Sequence, residues 1–270
     1  MNLNVEIKGQ GLPILCLHGH PGSSACLSVF TNHLSHSFQT IAPDLRGYGK
    51  SPAQGNYKIT DHLTDLETLL DHLKIDKYLI LGWSLGGIIA MEMALRHTNR
   101  VQGLILIATA AKPRGNHPPI TWQDNLYTAI AGITNYLKPG WQWNIDTFGK
   151  RSLFRYLICK HSPQCYQYLA KEAVPAYLQT SSAAQKALST ALKNGYNRLE
   201  DLKLIEAPCL VLAGSQDRHI TSQSSEETAS HLPNCQWKCY SDTAHLFPWE
   251  IPAQVVRDID DWIDNYLVVN

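Results

Sequence analysis

Residues 79–94 read LILGWSLGGIIAMEMA and set Ser84 between Gly82 and Gly86 in a G-x-S-x-G spacing. An apolar run precedes the serine and a helical pattern follows it. This strand–turn–helix context lets a serine hydroxyl stand at the apex of a strained turn. The two glycines clear room where side chains would block the strand from the helix. Leu85 falls at the head of that helix, where its backbone N–H can hold a developing oxyanion. A dinucleotide-binding G-x-G-x-x-G loop would need glycine at position 84, which is serine. The chemistry indicated is nucleophilic attack by Ser84.

A serine hydroxyl is weakly nucleophilic until a base, itself oriented by an acid, takes its proton. PCLVLAGSQDRHI places Asp217 just past a late apolar run, and residues at the carboxyl ends of parallel strands share one crevice. The preceding run, LILIATAAKPRG, is followed by no carboxylate before Asp124. Among the histidines, His33, His36, His62, His72, His97 and His231 fall on helices or their ends, and His117 and His161 lie in a helical stretch. His219, two residues past Asp217, is too close to fold back onto its own loop. His245, in YSDTAHLFPWE, follows the last predicted strand and precedes the last helix, so it is the expected base. A second oxyanion donor is expected from the backbone N–H of His20 in LCLHGHPGSS, where Gly19 turns the chain and the His18 ring holds the loop. His18 and His20 lack a third ligand, and Cys235 and Cys239 lack a second pair, so no metal site is expected.

The elements that must position these groups follow from periodicity. LNVEI, PILCLH, FQTIAP, KYLILG, VQGLILIAT, PCLVLAG and CQWKCY read as strands. DHLTDLETLLDHL, GGIIAMEMALRH, SSEETASHL and IPAQVVRDIDDWIDNYL read as the helices between and after them. Alternating strands and helices predict an α/β fold with a mostly parallel, twisted sheet flanked by helices. The alternation breaks from 112 to 206, where NLYTAIAGITNYL, RSLFRYLICKH, QCYQYLAKEAVPAYL and SAAQKALSTALKNGY read as successive helices. Residues 1–111 and 207–270 are thus expected to form the core, and 112–206 a helical cap. Most aromatic residues of the insertion are expected to pack its own interior. Trp83, Trp122, Trp141, Trp143 and Leu246 are the candidates to line a substrate pocket.

Composition narrows the partners. The 270 residues, 44% of them hydrophobic, suffice for one globular unit with a large core. Equal numbers of basic and acidic residues, 23 of each and without like-charge runs, leave no footprint for nucleic acid or an anionic membrane. A small-molecule substrate is the expected partner. The N-terminal stretch MNLNVEIKGQG lacks the apolar core of a signal peptide, and no run reaches membrane-spanning length, so a soluble cytoplasmic protein is expected. Seven scattered cysteines, an odd number, fit reduced thiols.

With LHGHPGS, PDLRGYGKS, GWSLGG, LAGSQD and TAH in that order, the chain resembles the α/β-hydrolase superfamily, and in particular its small cap-bearing serine hydrolases. The order Ser84, Asp217, His245 is that of the family's triad. The resemblance implies a lid where the helical insertion falls. It also implies scaffold roles for Asp44 and Arg46 in a loop near the site. One strand precedes PILCLH where the family often has two. HGHPG and DLRGYGKS are similar to epoxide hydrolases and haloalkane dehalogenases, but those use an aspartate nucleophile and here the position holds Ser84. A serine cannot release an alkyl group through an ester carbonyl, so the expected reaction is hydrolysis of an ester-like acyl bond, with no cofactor. Cleavage of a carbon–carbon bond in a β-diketone-like acid, or acyl transfer, would use the same triad. Arg114, Lys150, Arg151 or Arg155 in the pocket would favour the acid. A small-molecule receptor with little turnover is the reading from another class.

Overall fold

Every one of the seven apolar runs forms a strand in the computed structural model, which describes residues 3–53 and 55–267. They are β1 (Val5–Lys8), β2 (Pro13–Leu17), β3 (Gln39–Pro43), β4 (Tyr78–Trp83), β5 (Val101–Ile107), β6 (Cys209–Gly214) and β7 (Cys235–Tyr240). The sheet order is β1-β3-β2-β4-β5-β6-β7, parallel throughout except that β1 runs antiparallel to β3. Helices on both faces bury the central strands, which is why β2, β4, β5 and β6 read as nearly continuous apolar runs.

The α-helices are α1 (Ser28–Leu34), α2 (Asp61–His72), α3 (Leu85–Arg96), α4 (Trp122–Leu137), α5 (Gln142–Thr147), α6 (Pro163–Tyr168), α7 (Val174–Leu178), α8 (Ser182–Lys193), α9 (Ser222–His231), α10 (Phe247–Glu250) and α11 (Pro252–Leu267). Strand alternation splits the core in two. Ile14, Cys16, Leu79 and Leu81 pack with Phe30 of α1 and Ile259 and Trp262 of α11. Leu15, Leu17, Tyr78 and Ile80 pack with Leu66 of α2, Ile89 and Met93 of α3 and Ala229 of α9. No helix of the described residues is long and apolar enough to cross a membrane. All seven cysteines are free thiols.

Between β5 and β6 the described residues form helices and no strand. Local capping sets several of these helices. Thr121 and Asp124 make a reciprocal capping box at α4, while Ser162 and Ser181 accept the N–H groups of Cys165 and Ala184 at the starts of α6 and α8. The expected helix over RSLFRYLICKH does not form. Only short 3₁₀ turns, Gly149–Arg151 and Leu153–Tyr156, occupy its first half. Ser152 interrupts them with extended backbone, its hydroxyl accepting from the Phe154 N–H. Beyond them, the Cys159 and Lys160 N–H groups bond to the Glu250 carboxylate instead of to helix carbonyls.

Candidate active site

The sheet register aligns Gly82 with Leu106 and Gly214 with Tyr240, so the carboxyl ends of β4, β6 and β7 open on one edge. Ser84 follows β4 directly, with φ +54° and ψ −115°, a conformation that costs a non-glycine residue on the order of 1–3 kcal/mol. Neighbouring bonds hold it there. The Ser84 N–H donates to the Ile107 carbonyl at 2.9 Å, and its own carbonyl accepts from Thr109 Oγ1 at 2.8 Å. The flanking glycines are steric necessities, as expected. A Cβ on Gly82 would lie 2.5 Å from the Gly86 carbonyl oxygen, and one on Gly86 would lie 2.0 Å from that of Leu17.

Asp217 and His245 come to Ser84 from the loops after β6 and β7. His245 Nδ1 lies 2.7 Å from Asp217 Oδ2, and His245 Nε2 lies 3.2 Å from Ser84 Oγ. With the carboxylate accepting at Nδ1–H, the Nε2 lone pair faces the serine hydroxyl. The second carboxylate oxygen, Oδ1, accepts the His219 and Ile220 N–H groups at 2.8 and 3.0 Å. The two loops are also joined to each other, since the Gln216 N–H donates to the Thr243 carbonyl at 2.8 Å. Ser84, Asp217 and His245 are all buried, at 5%, 3% and 4% exposure, which shields their hydrogen bonds from competing water.

The His18–Gly22 loop closes on the same point. A Cβ on Gly19 would stand 3.1 Å from that of Ser84, which measures how near this backbone runs to the serine. The His18 ring holds the loop with both nitrogens. Nδ1 donates to the Gly19 carbonyl at 2.8 Å while Nε2 accepts the Leu45 N–H at 3.0 Å. Burial pushes this imidazole down to about 4, so it is neutral and unfit to ligate a metal without losing both bonds. The His20 ring is held by the Tyr48 hydroxyl at 2.9 Å. As the first residue of α3, Leu85 has no intrahelical acceptor for its N–H. Asp44 and Arg46 are structural: Asp44 accepts the Ser24 and Lys50 N–H groups at 2.7 and 2.9 Å, and Arg46 makes two 2.7 Å bonds to Asp65.

A cavity of about 390 Å³ reaches Ser84, His20 and Leu85. Its apolar side is Leu85, Ile88, Ile220 and, from α8, Leu188 and Leu192; its polar side is Lys112, Arg114, His117 and His219. None of the five residues expected to line the pocket is among its walls. Trp83 packs against His245 and Trp249, with ring centroids 5.7 and 4.8 Å away, and Leu246 is buried in the core. Trp122 is 72% exposed, and Trp141 and Trp143 pack on each other near the surface with centroids 4.9 Å apart and planes tilted by 34°. Trp122 and Trp143 lie on exposed faces of α4 and α5, while the i, i+4 leucines of α8 line the cavity that reaches Ser84. A larger groove of about 560 Å³, beside Ser28, Glu172 and Trp249, holds none of the triad.

His219 is the residue whose place the sequence concealed. Its side chain does return to the site, with its ring 4.9 Å from that of His245 and Nδ1 3.2 Å from His117 Nε2. Both rings line the cavity and remain exposed. Desolvation at the cavity wall, followed by the nearby His245, holds His219 below the ordinary imidazole range, and desolvation does the same for His117. Two neutral imidazoles therefore line the cavity near Ser84 and His245.

The comparisons with known proteins agree with this architecture. The family model described as alpha/beta hydrolase fold matches residues 13–252. A pimeloyl-(acyl-carrier protein) methyl ester esterase of Legionella pneumophila is 33% identical over 246 residues, covering 91% of this chain and 92% of its own. A 2-hydroxymuconate semialdehyde hydrolase of Pseudomonas putida is 27% identical, covering 96% and 90%. Among solved structures, a thermophilic esterase from Thermogutta terrifontis superimposes with a TM-score of 0.71 at 26% identity, covering 98% of this chain and 93% of that one. The chain belongs to the α/β-hydrolase family and is a hydrolase.

Proposed function

We propose that the protein is a serine esterase acting on a small to medium, largely apolar acyl ester. The observation that carries this reading is the unbroken Asp217–His245–Ser84 hydrogen-bond chain opening into a cavity. His245 Nε2 takes the Ser84 proton as Oγ bonds to the ester carbonyl carbon. The Leu85 and His20 N–H groups receive the oxyanion. As the tetrahedral intermediate collapses, His245 returns its proton to the departing alkoxide and the alcohol leaves. A water then enters, gives a proton to His245 and attacks the acyl carbonyl, releasing the acid and restoring Ser84. Residues 112–206 act as a cap, with α8 supplying the wall for the acyl chain, over a core of 1–111 and 207–270. All steps use protein groups and water.

A second reading is favoured by one observation: Lys112 and Arg114 stand at the cavity, and a substrate bearing a carboxylate would meet them there. Arg114 is already engaged by Glu227 at 2.7 Å, which leaves Lys112 as the cation without an ion pair among the described residues. Lys150 and Arg155 are paired with Asp146 and Asp124, outside the cavity. A carbon–carbon hydrolase of a β-diketone-like acid would use these features; the Pseudomonas putida relative is named a 2-hydroxymuconate semialdehyde hydrolase. Initial rates on aryl esters of increasing acyl length test the esterase reading. Wild type is expected to turn over, and Ser84→Ala to lose roughly 10⁴-fold or more in kcat. Hydrolysis undiminished in Ser84→Ala would contradict it.

A further inference from the structure

Three backbone N–H groups converge on one carboxylate at the end of α10. Glu250 Oε1 accepts from the Ala244 N–H at 2.8 Å, and Oε2 accepts from Cys159 at 3.0 Å and Lys160 at 2.5 Å. Ala244 immediately precedes His245. On the other side of the histidine, the Leu246 N–H donates to the Leu157 carbonyl at 2.8 Å. The residues on either side of His245 are thus tied to the 157–160 turn, Leu246 directly and Ala244 through Glu250, and the turn belongs to the helical segment between β5 and β6. The attachment is reinforced nearby, where Cys165 Sγ donates to the Trp249 carbonyl at 3.2 Å and Tyr168 stacks on Trp249 at 4.2 Å.

We propose that Glu250 is a positioning residue that carries the placement of the helical segment into His245, holding the base over Ser84 only while the 157–160 turn is docked. The proposal rests on the reading of His245 as the base. Its physical content lies in the two-sided carboxylate. One oxygen serves the His245 loop and the other serves the turn, and the charge strengthens all three bonds. Ala244 is fully buried, so leaving its N–H unpaired would be costly, while the Cys159 and Lys160 donors lie on an exposed turn. Glutamine has the same shape but a single acceptor oxygen. Whichever way its amide lies, one arm meets an NH₂ group in place of an acceptor and the link is cut.

The test compares the full chain as wild type, Glu250→Gln and Ser84→Ala, with kinetics on an aryl ester and ¹H NMR of the proton bridging His245 Nδ1 and Asp217. Glu250→Gln is expected to keep a cooperative unfolding transition and a KM within about twofold of wild type. Its kcat is expected to fall roughly 10- to 100-fold, the effect of a small misplacement of a reacting group. The bridging proton, sharp and downfield in wild type, should broaden. Wild-type kcat with a sharp bridging proton, even at lowered thermal stability, would overturn the proposal by showing Glu250 to be structural only. If Glu250→Gln does not fold, Lys160→Pro deletes one donor on the exposed turn, and the same two outcomes decide. Activity surviving in Ser84→Ala would sink the serine reading separately, while the bridging proton would still decide whether Glu250 positions His245.

Discussion

The His219 ring stands edge-on to that of His245, with centroids 4.9 Å apart, while its backbone N–H donates to the Asp217 oxygen that His245 does not use. One residue thus touches both supports of the serine. Because His219 is held in its neutral form, the imidazolium that the proposed reaction would form on His245 would face the Asp217 carboxylate without an opposing cation. A permanent charge at 219 would remove that advantage. His219→Lys is expected to disfavour the His245 imidazolium, moving the acid limb of the kcat/KM profile to lower pH by roughly half a unit to one unit and lowering kcat. His219→Gln should leave the limb in place. A pH–rate profile of the two variants checks this, and an unmoved limb in the lysine variant would count against it.

Stability should also depend on acid, through two buried histidines, His18 in the loop beside Ser84 and His62 on α2. Burial pushes both His18 and His62 down to about 4. An imidazole lowered in the folded state binds its proton more readily when unfolded, so its stabilising contribution is complete above about 6.5 and is lost as pH falls from there toward 4. The urea midpoint is therefore expected to hold between pH 8 and 7 and to decline steadily below 6.5. His62→Gln should show a shallower decline. A flat midpoint down to pH 4.5 would contradict the neutral, buried assignment.

Gly86 offers a steric prediction. A methyl group there would stand 2.0 Å from the Leu17 carbonyl oxygen, inside the packed junction of β2 and α3. Neither backbone can retreat without moving Ser84, so Gly86→Ala is expected to destabilise by more than ~3 kcal/mol. Thermal unfolding reads this directly. A Tm within a degree or two of wild type would show that the elbow is looser than its contacts imply.

Lys112 separates substrate classes. Replacing it with Met keeps most of the stem and removes the charge at the cavity wall. For esters carrying a terminal carboxylate, kcat/KM is expected to fall roughly tenfold, as for loss of one charge-assisted contact. Neutral esters of the same length should be unaffected. Equal losses on both would mean that Lys112 shapes the cavity instead of reading charge.

Much of this was legible along the chain because it is local. G-x-S-x-G is a contiguous steric requirement, and each strand is a short apolar run bounded by turn residues. Asp217 and His245 were found from their places after β6 and β7, since a parallel sheet brings such ends together whatever lies between. The pocket was not legible for the opposite reason. Which face of α8 meets Ser84 depends on how the helical segment packs on a sheet formed by residues far away, and the abundance of tryptophan in that segment pointed to Trp122, Trp141 and Trp143. The segment around 151–161 does not form the helix because Ser152 breaks its first half and Glu250, about 90 residues onward, claims the Cys159 and Lys160 N–H groups. His219 was set aside on sequence proximity to Asp217, yet its ring reaches His245 across the loop instead of back along it.

Activation of Ser84 by His245 is tested by intact-mass and peptide-mapping analysis of the protein after reaction with a fluorophosphonate, for wild type, Ser84→Ala and His245→Ala. One adduct per wild-type chain is expected, mapped to Ser84, with none in Ser84→Ala and labelling slowed by several orders of magnitude in His245→Ala. An adduct on another residue, or labelling of His245→Ala at the wild-type rate, would contradict it.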